Sequence, residues 1–245
     1  MGVPQKILSD DKLRAIILLG VILVIGTSVI TQVILQMGEN IRGTPIDLSS
    51  QLPKWSDDFF NSLVLYPNGL PPFISSGGVY SPENIIFNIG FRIAGVLFVL
   101  IGIEIFLRTA SSLDLENKKR RRDNLIALIS SILAGSSLFM ITFFPFDTKL
   151  LLHVLMASII FISIGLWVFM LLNSRKDIDN DIIFRKQSLN SVRRKIAFFG
   201  LFCFIFMILF VSLNMQAIGA IGEWGLMLSG QLQTLTIIPI LNSNE

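Results

Sequence analysis

Residues 15–37 read AIILLGVILVIGTSVITQVILQM, with no charged side chain anywhere in the run. A helix crossing a bilayer needs about 20 predominantly apolar residues at about 1.5 Å rise each. This stretch meets that length. Lys6, Lys12 and Arg14 precede it and no small-x-small cleavage pattern follows, so it reads as an uncleaved first span.

The same pattern repeats outward along the chain. Further spans are predicted at 85–107, 125–146, 150–172, roughly 196–218 and roughly 224–241, each bounded by charge, Pro or a polar cluster. With 52% apolar residues, 15% charged residues and a mean hydropathy of +0.70, a purely soluble fold is excluded. The expected fold is an all-α integral membrane protein, a six-transmembrane-helix bundle forming a single domain over 1–245. Gly225, Gln231, Gln233 and Pro239 dilute the last span, which should therefore pack inside the bundle. Only residues 38–84 are long enough for a sizeable excursion outside the membrane.

Six crossings put both termini on one side. Lys6, Lys12, Arg14, Arg108, Lys118 to Arg122, Arg175, Lys176, Arg185, Lys186 and Arg193 to Lys195 then fall on that side, against Arg42, Lys54 and Lys149 on the other. Sixteen against three predicts cytoplasmic N- and C-termini by the positive-inside rule. The runs Lys118 to Arg122 and Arg193 to Lys195 would also suit anionic headgroups. The single cysteine, Cys203, excludes an intrachain disulfide, and which membrane holds the protein is unreadable.

In the loop, Trp55, Phe59, Phe60, Leu63 and Val64 recur at helical spacing, predicting a short interfacial helix over 53–66. Pro67, Asn68 and Gly69 then turn the chain. Pro82 and Glu83 suit the opening of the second helix, one by its fixed φ and the other by its charge. Stripes of small residues, Ala127–Ser131–Gly135, Gly219–Gly222–Gly225 and Gly90–Ala94, mark expected helix contacts, because close backbone approach drives association where lipid is as apolar as leucine.

Ionisable groups at membrane depth are costly and so are site candidates or paired structural groups. Arg92 and Glu104 lie about 18 Å apart along one helix and cannot pair with each other. Glu104 is one turn from Arg108; Arg92 needs an acidic partner or a lipid phosphate. The topology brings Glu83, Asp147, His153 and Glu223 to the non-cytoplasmic ends of four helices. His153, the only histidine, could exchange protons or bind a headgroup there. One His and scattered carboxylates make no metal-ligand pattern, so no metal is expected. Gly135-Ser136-Ser137-Leu138-Phe139 lacks the second glycine of a nucleophile elbow. No nucleotide-binding glycine pattern occurs, so no cofactor and no nucleotide is expected. Basic residues pinned to span ends with no folded reader domain exclude nucleic acid as a partner.

Three separated segments resemble the DRAM family, the damage-regulated autophagy modulators with their Frag and Sfk relatives. Pro72, Ile74, Ser75, Gly78, Pro82, Glu83 and Phe87 fill the family's first signature in register. Phe144, His153 and Ala157 match the turn into its fourth helix, and Glu223-Trp224 with Leu235-Thr236 match its last. The chain departs at Ser76, where the family usually has Asp, at Val154, where it usually has Asn or Asp, and in the extra glutamines of the last helix. The resemblance implies six spans with cytoplasmic termini and action on or near lipids: anchor remodelling, phospholipid distribution or membrane traffic. It brings no shared catalytic mechanism.

The leading expectation is an outer-leaflet pocket of Ser75, Glu83, Arg92, His153, Glu223 and Trp224 that binds or regulates membrane lipids, with Arg92 facing phosphate. A second reading is an enzyme remodelling lipid acyl chains, a hydrolase or transferase with His153 as base and Asp147 or Glu223 orienting it. A third is a non-catalytic structural subunit with membrane-protein partners, its polar cluster merely holding helices together.

Overall fold

A computed structural model of the chain describes residues 6–38, 45–51, 64–65, 72–114, 116–184, 186–213 and 215–242. Six helices are long and apolar enough to cross a membrane: α1 (Asp10–Met37), α2 (Glu83–Ser112), α3 (Lys118–Met140, extended by a 3-10 turn through Phe143), α4 (Leu150–Ser174), α5 (Leu189–Ser212) and α6 (Gln216–Leu235). A short α7 (Ile238–Asn242) continues α6 after a break. Two small antiparallel pairs complete the order, β1 (Ile46–Asp47) with β2 (Val64–Leu65) and β3 (Ile183–Phe184) with β4 (Gln187–Ser188). The interfacial helix expected over 53–66 lies outside the described residues except at Val64 and Leu65, which are strand, paired to Asp47 and Ile46.

The helix ends follow local chemistry. Ser9 caps α1 by accepting from the Lys12 amide, which starts the helix five residues before the apolar run. Asn117 accepts from the Arg120 amide at α3, so Lys118 to Arg122 sit inside the helix instead of ahead of it. Ser188 caps α5 through the Ser191 amide. The fifth span therefore begins at Leu189, not near Ile196, and ends at Ser212, with α6 starting at Gln216. Apolarity alone could not place these ends, because a cap is set by one hydroxyl or amide and helices carry polar first turns beyond the bilayer's apolar core.

Successive helices α1 to α4 pack pairwise, while α5 joins the bundle chiefly through α6. Small residues make these seams. A Cβ at Gly95 would stand 2.5 Å from the Gly135 carbonyl oxygen, and one at Gly102 would stand 1.9 Å from Ser131 Oγ, so α2 and α3 meet backbone to backbone. Gly90 lies against Thr27 of α1, and Gly219, Gly222 and Gly225 lie against Val211, Met207 and Cys203 of α5. α6 is the most enclosed of the six and α5 the most lipid-facing.

The end that carries both termini is locked by charge. Glu104, fully buried, accepts from the Ile7 and Leu8 amides at 3.1 and 3.3 Å and from Arg108 Nε at 2.9 Å, while Arg108 Nη1 reaches Asp10 at 2.6 Å. A second lock joins Asp179 to Arg175 at 2.6 and 2.7 Å and to Arg193 at 2.5 Å. Arg193 is therefore buried and paired and does not face headgroups. Its Nη2 donates to the Thr236 carbonyl at 3.1 Å. Pro239 offers no N–H to the preceding turn, so the guanidinium supplies a donor at the break between α6 and α7. Burial alone would raise the Asp179 carboxyl, but hydrogen bonds and charge from Arg175 and Arg193 outweigh it and hold it below its ordinary value of 3.8.

Candidate functional site

At the opposite end, the stretch from Pro72 into the 3-10 turn Ile74–Gly78 is drawn into the bundle by side chains from two helices. Glu223 Oε2 on α6 accepts from the Ile74 amide at 2.7 Å, and Trp224 Nε1 donates to the Pro72 carbonyl at 2.8 Å. From α1, Gln32 Nε2 donates to the Phe73 and Ile74 carbonyls at 2.8 and 3.1 Å. A segment without a helix or strand ladder still needs partners for its backbone groups, and these three side chains supply them. Gly77 is required here: a Cβ would stand 2.4 Å from Thr31 Oγ1. Pro82 precedes α2 and Glu83 occupies its first position, as expected of that junction, and the Glu83 side chain is fully buried there.

His153 stands in the first turn of α4, buried. Its Nδ1 lies 2.7 Å from the Phe144 carbonyl oxygen, and its ring meets Phe146 edge-on with centroids 6.0 Å apart. A carbonyl only accepts, so Nδ1 carries the proton and in the neutral ring Nε2 is the acceptor. Neither carboxylate expected to orient it does so among the described residues: Glu223 holds the Ile74 amide, and no hydrogen bond joins His153 to Asp147.

Arg92 takes partners the sequence did not offer. Its Nε donates to Thr142 Oγ1 at 2.8 Å and its guanidinium carbon lies 4.1 Å from the Phe143 ring centroid, a cation–π contact. Among the described residues no salt bridge includes Arg92. Asp147 is fixed through its backbone: Gln51 Nε2 donates to its carbonyl at 2.6 Å while Gln51 Oε1 accepts from the Leu150 amide at 2.8 Å. Burial pushes the Asp147 carboxyl above its ordinary value of 3.8, partly offset by its own amide and that of Thr148. Its Oδ1 is buried with no hydrogen-bond partner among the described residues.

Two cavities meet at this end. One, of about 100 Å³, runs down the bundle axis between α1, α2, α3, α4 and α6, walled by residues such as Val24, Phe91, Leu138, Ala157 and Met227, with Ser75, His153 and Glu223 among its few polar walls. The other, of about 140 Å³, is polar and lined by Ser75, Asn84, Asn88, Thr142, Asp147 and His153, among others. Ser75, Phe87, Ile141 and His153 border both. The structure thus brings Ser75, His153 and Glu223 onto one cavity and Ser75, His153 and Asp147 onto the other. Glu83, Arg92 and Trp224 line neither, although Arg92 reaches the polar cavity's wall through Thr142.

Gln32, Thr142, Asn84 and Asn88 escaped the sequence reading. For Gln32 a signal existed. Thr27, Ser28, Thr31 and Gln32 place a buried polar stripe on one face of an otherwise apolar α1. Among the described residues no group of three or more His, Cys, Asp or Glu converges as a metal site would require.

A family model described as the Frag1/DRAM/Sfk1/Cwh43P N-terminal domain matches residues 54–238, a range that takes in the segment stitched by Glu223 and Trp224, the polar cavity, the apolar cavity except for its α1 wall, and the α6 break. No curated protein and no solved structure matches the chain. With most of its length under that match and six apolar helices to carry it, the chain belongs to the Frag1/DRAM/Sfk1 family of multi-pass membrane proteins.

Proposed function

We propose that the protein binds or regulates membrane lipids at the end of the bundle away from its termini, with the termini in the cytoplasm. The distribution of basic residues, sixteen against three, supports that orientation. One observation carries the lipid reading: a narrow apolar cavity along the bundle axis abuts a polar cavity across a shared wall of Ser75, Phe87, Ile141 and His153. That is the shape of an amphiphile, acyl chain below and headgroup above. The apolar cavity has too few polar partners to hold ordered water along its length, which favours hydrocarbon.

The test is native mass spectrometry with lipidomics on purified wild type and Ala157→Phe, the latter placing a ring into the apolar cavity. Wild type should retain a defined lipid and Ala157→Phe should lose it while remaining folded. Equal retention by both, or no specific lipid in either alongside co-purifying membrane proteins, would contradict the proposal and favour a structural subunit. Lysophospholipid or free fatty acid released by wild type and abolished in His153→Ala would show turnover beyond binding.

A further inference from the structure

The polar cavity has an imbalance of its own. Among its lining residues Asp147 Oδ1 and Asn84 Oδ1 are both buried acceptors with no partner among the described residues. A third acceptor, Thr142 Oγ1, already receives Arg92 Nε and donates to the Phe139 carbonyl at 2.8 Å. Asp147 is the one acidic side chain on that wall. An unpaired buried acceptor costs free energy, more when it is charged, so such a pair is explained by an occupant that brings donors. An occupant with N–H or O–H groups satisfies both acceptors, and one that also carries a positive charge complements the Asp147 carboxylate, whose other help comes from its own amide and that of Thr148. Beyond Thr142 stands the Arg92 guanidinium, a cation whose partners among the described residues are a neutral hydroxyl and a ring, so that it carries positive charge toward this side of the cavity.

We propose that the polar cavity is an ammonium subsite: Asp147 and Asn84 receive the primary ammonium of an aminophospholipid headgroup, whose phosphate lies on the Arg92 side. The assignment rests on the lipid reading above and adds the headgroup class. It discriminates against choline, whose trimethylated nitrogen has no N–H to give the two acceptors and is broader than an ammonium. It also discriminates against glycerol and bare phosphate headgroups, which bring no cation to Asp147. The carboxyl's burial, which raises its proton affinity when nothing is bound, accords with a site completed by a positive ligand.

The test offers the full-length protein equimolar phosphatidylethanolamine, phosphatidylcholine and phosphatidylglycerol of identical acyl chains and reads bound lipid by native mass spectrometry. Wild type should hold phosphatidylethanolamine about tenfold over the other two, the effect of one charge-assisted hydrogen-bonded contact. Asp147→Asn, which keeps the shape and the Gln51 contact to the backbone, should erase the preference without abolishing lipid retention. Asn84→Ala should weaken it. Equal retention of the three lipids by wild type would overturn the subsite and leave the lipid reading standing. Loss of all lipid from wild type would overturn both. Thermal stabilisation by free ethanolamine alone, with equal retention of the three lipids, would place the amine in solution and overturn the lipid assignment.

Discussion

Glu223 and Asp179 are both buried carboxylates, yet one holds a backbone amide and the other holds two guanidiniums. That difference sets distinct predictions. Replacing Glu223 by Ala strands the Ile74 N–H inside the bundle, at a cost of roughly 1–3 kcal/mol, whereas Gln keeps an acceptor in place. A thermal unfolding series in detergent should show a lowered Tm for Glu223→Ala and substantial recovery for Glu223→Gln. Asp179→Ala leaves two buried guanidiniums without their carboxylate and should cost about 3–5 kcal/mol, the larger loss of the two. Its pH signature follows from the direction of the shift. Because the folded carboxyl lies below its unfolded value of 3.8, its contribution is present above that value and is lost as pH falls through the folded value. Wild-type stability should therefore fall more steeply than that of Asp179→Asn below about pH 4, in line with that linkage. Parallel pH profiles for the two proteins would refute the charge lock. Asp147 runs the other way. Its carboxyl is raised, so the ionised form is a burden on the empty protein at neutral pH, and Asp147→Asn should raise Tm in lipid-depleted detergent.

Among the elements, the spans were legible because apolar length is a property of a whole stretch and survives local exceptions. Caps were not. Ser9, Asn117 and Ser188 act through single side chains, so helix ends moved, most of all in α5. The seams were legible in part: Gly135 and Ser131 do meet α2, and Gly222 and Gly225 do meet α5. Their partners, Gly95, Gly102, Met207 and Cys203, were invisible because a glycine stripe states closeness without stating to what. Gly95→Ala should be disruptive, since its methyl would meet a backbone carbonyl that cannot move aside, at about 1–3 kcal/mol for overpacking. Gly165→Ala meets nothing within 4 Å and should be neutral. Fluorescence-detected size exclusion after heating, applied to both variants, separates the two outcomes.

For the whole molecule, the two ends do different work. The terminal end is closed by Glu104, Arg108, Arg175, Asp179 and Arg193, whose charges pair among themselves and with backbone. Sequence order concealed this, because Arg175 and Arg193 read as flanking charges while their partner Asp179 sits in a short loop. The loop end keeps space and unspent polar atoms. Ser75, His153 and Glu223 were legible as neighbours from topology, but Asn84 and Thr142 on the polar cavity's wall, and Gln32 and Gln51 fixing the Phe73 and Asp147 carbonyls, are polar for reasons that only a fixed backbone reveals. Filling, not charge removal, is the cleaner probe of such a design, because it leaves every hydrogen bond at the mouth intact.

The most direct measurement is photocrosslinking with a phospholipid carrying a diazirine in its acyl chain, followed by peptide mapping. Labelled residues should include cavity-lining Phe91, Leu138 or Met227, and that labelling should vanish in Ala157→Phe while labelling of the lipid-facing Phe202 and Ile205 persists. Crosslinks confined to Phe202, Ile205 and the other outward side chains in both proteins would contradict a lipid chain inside the bundle.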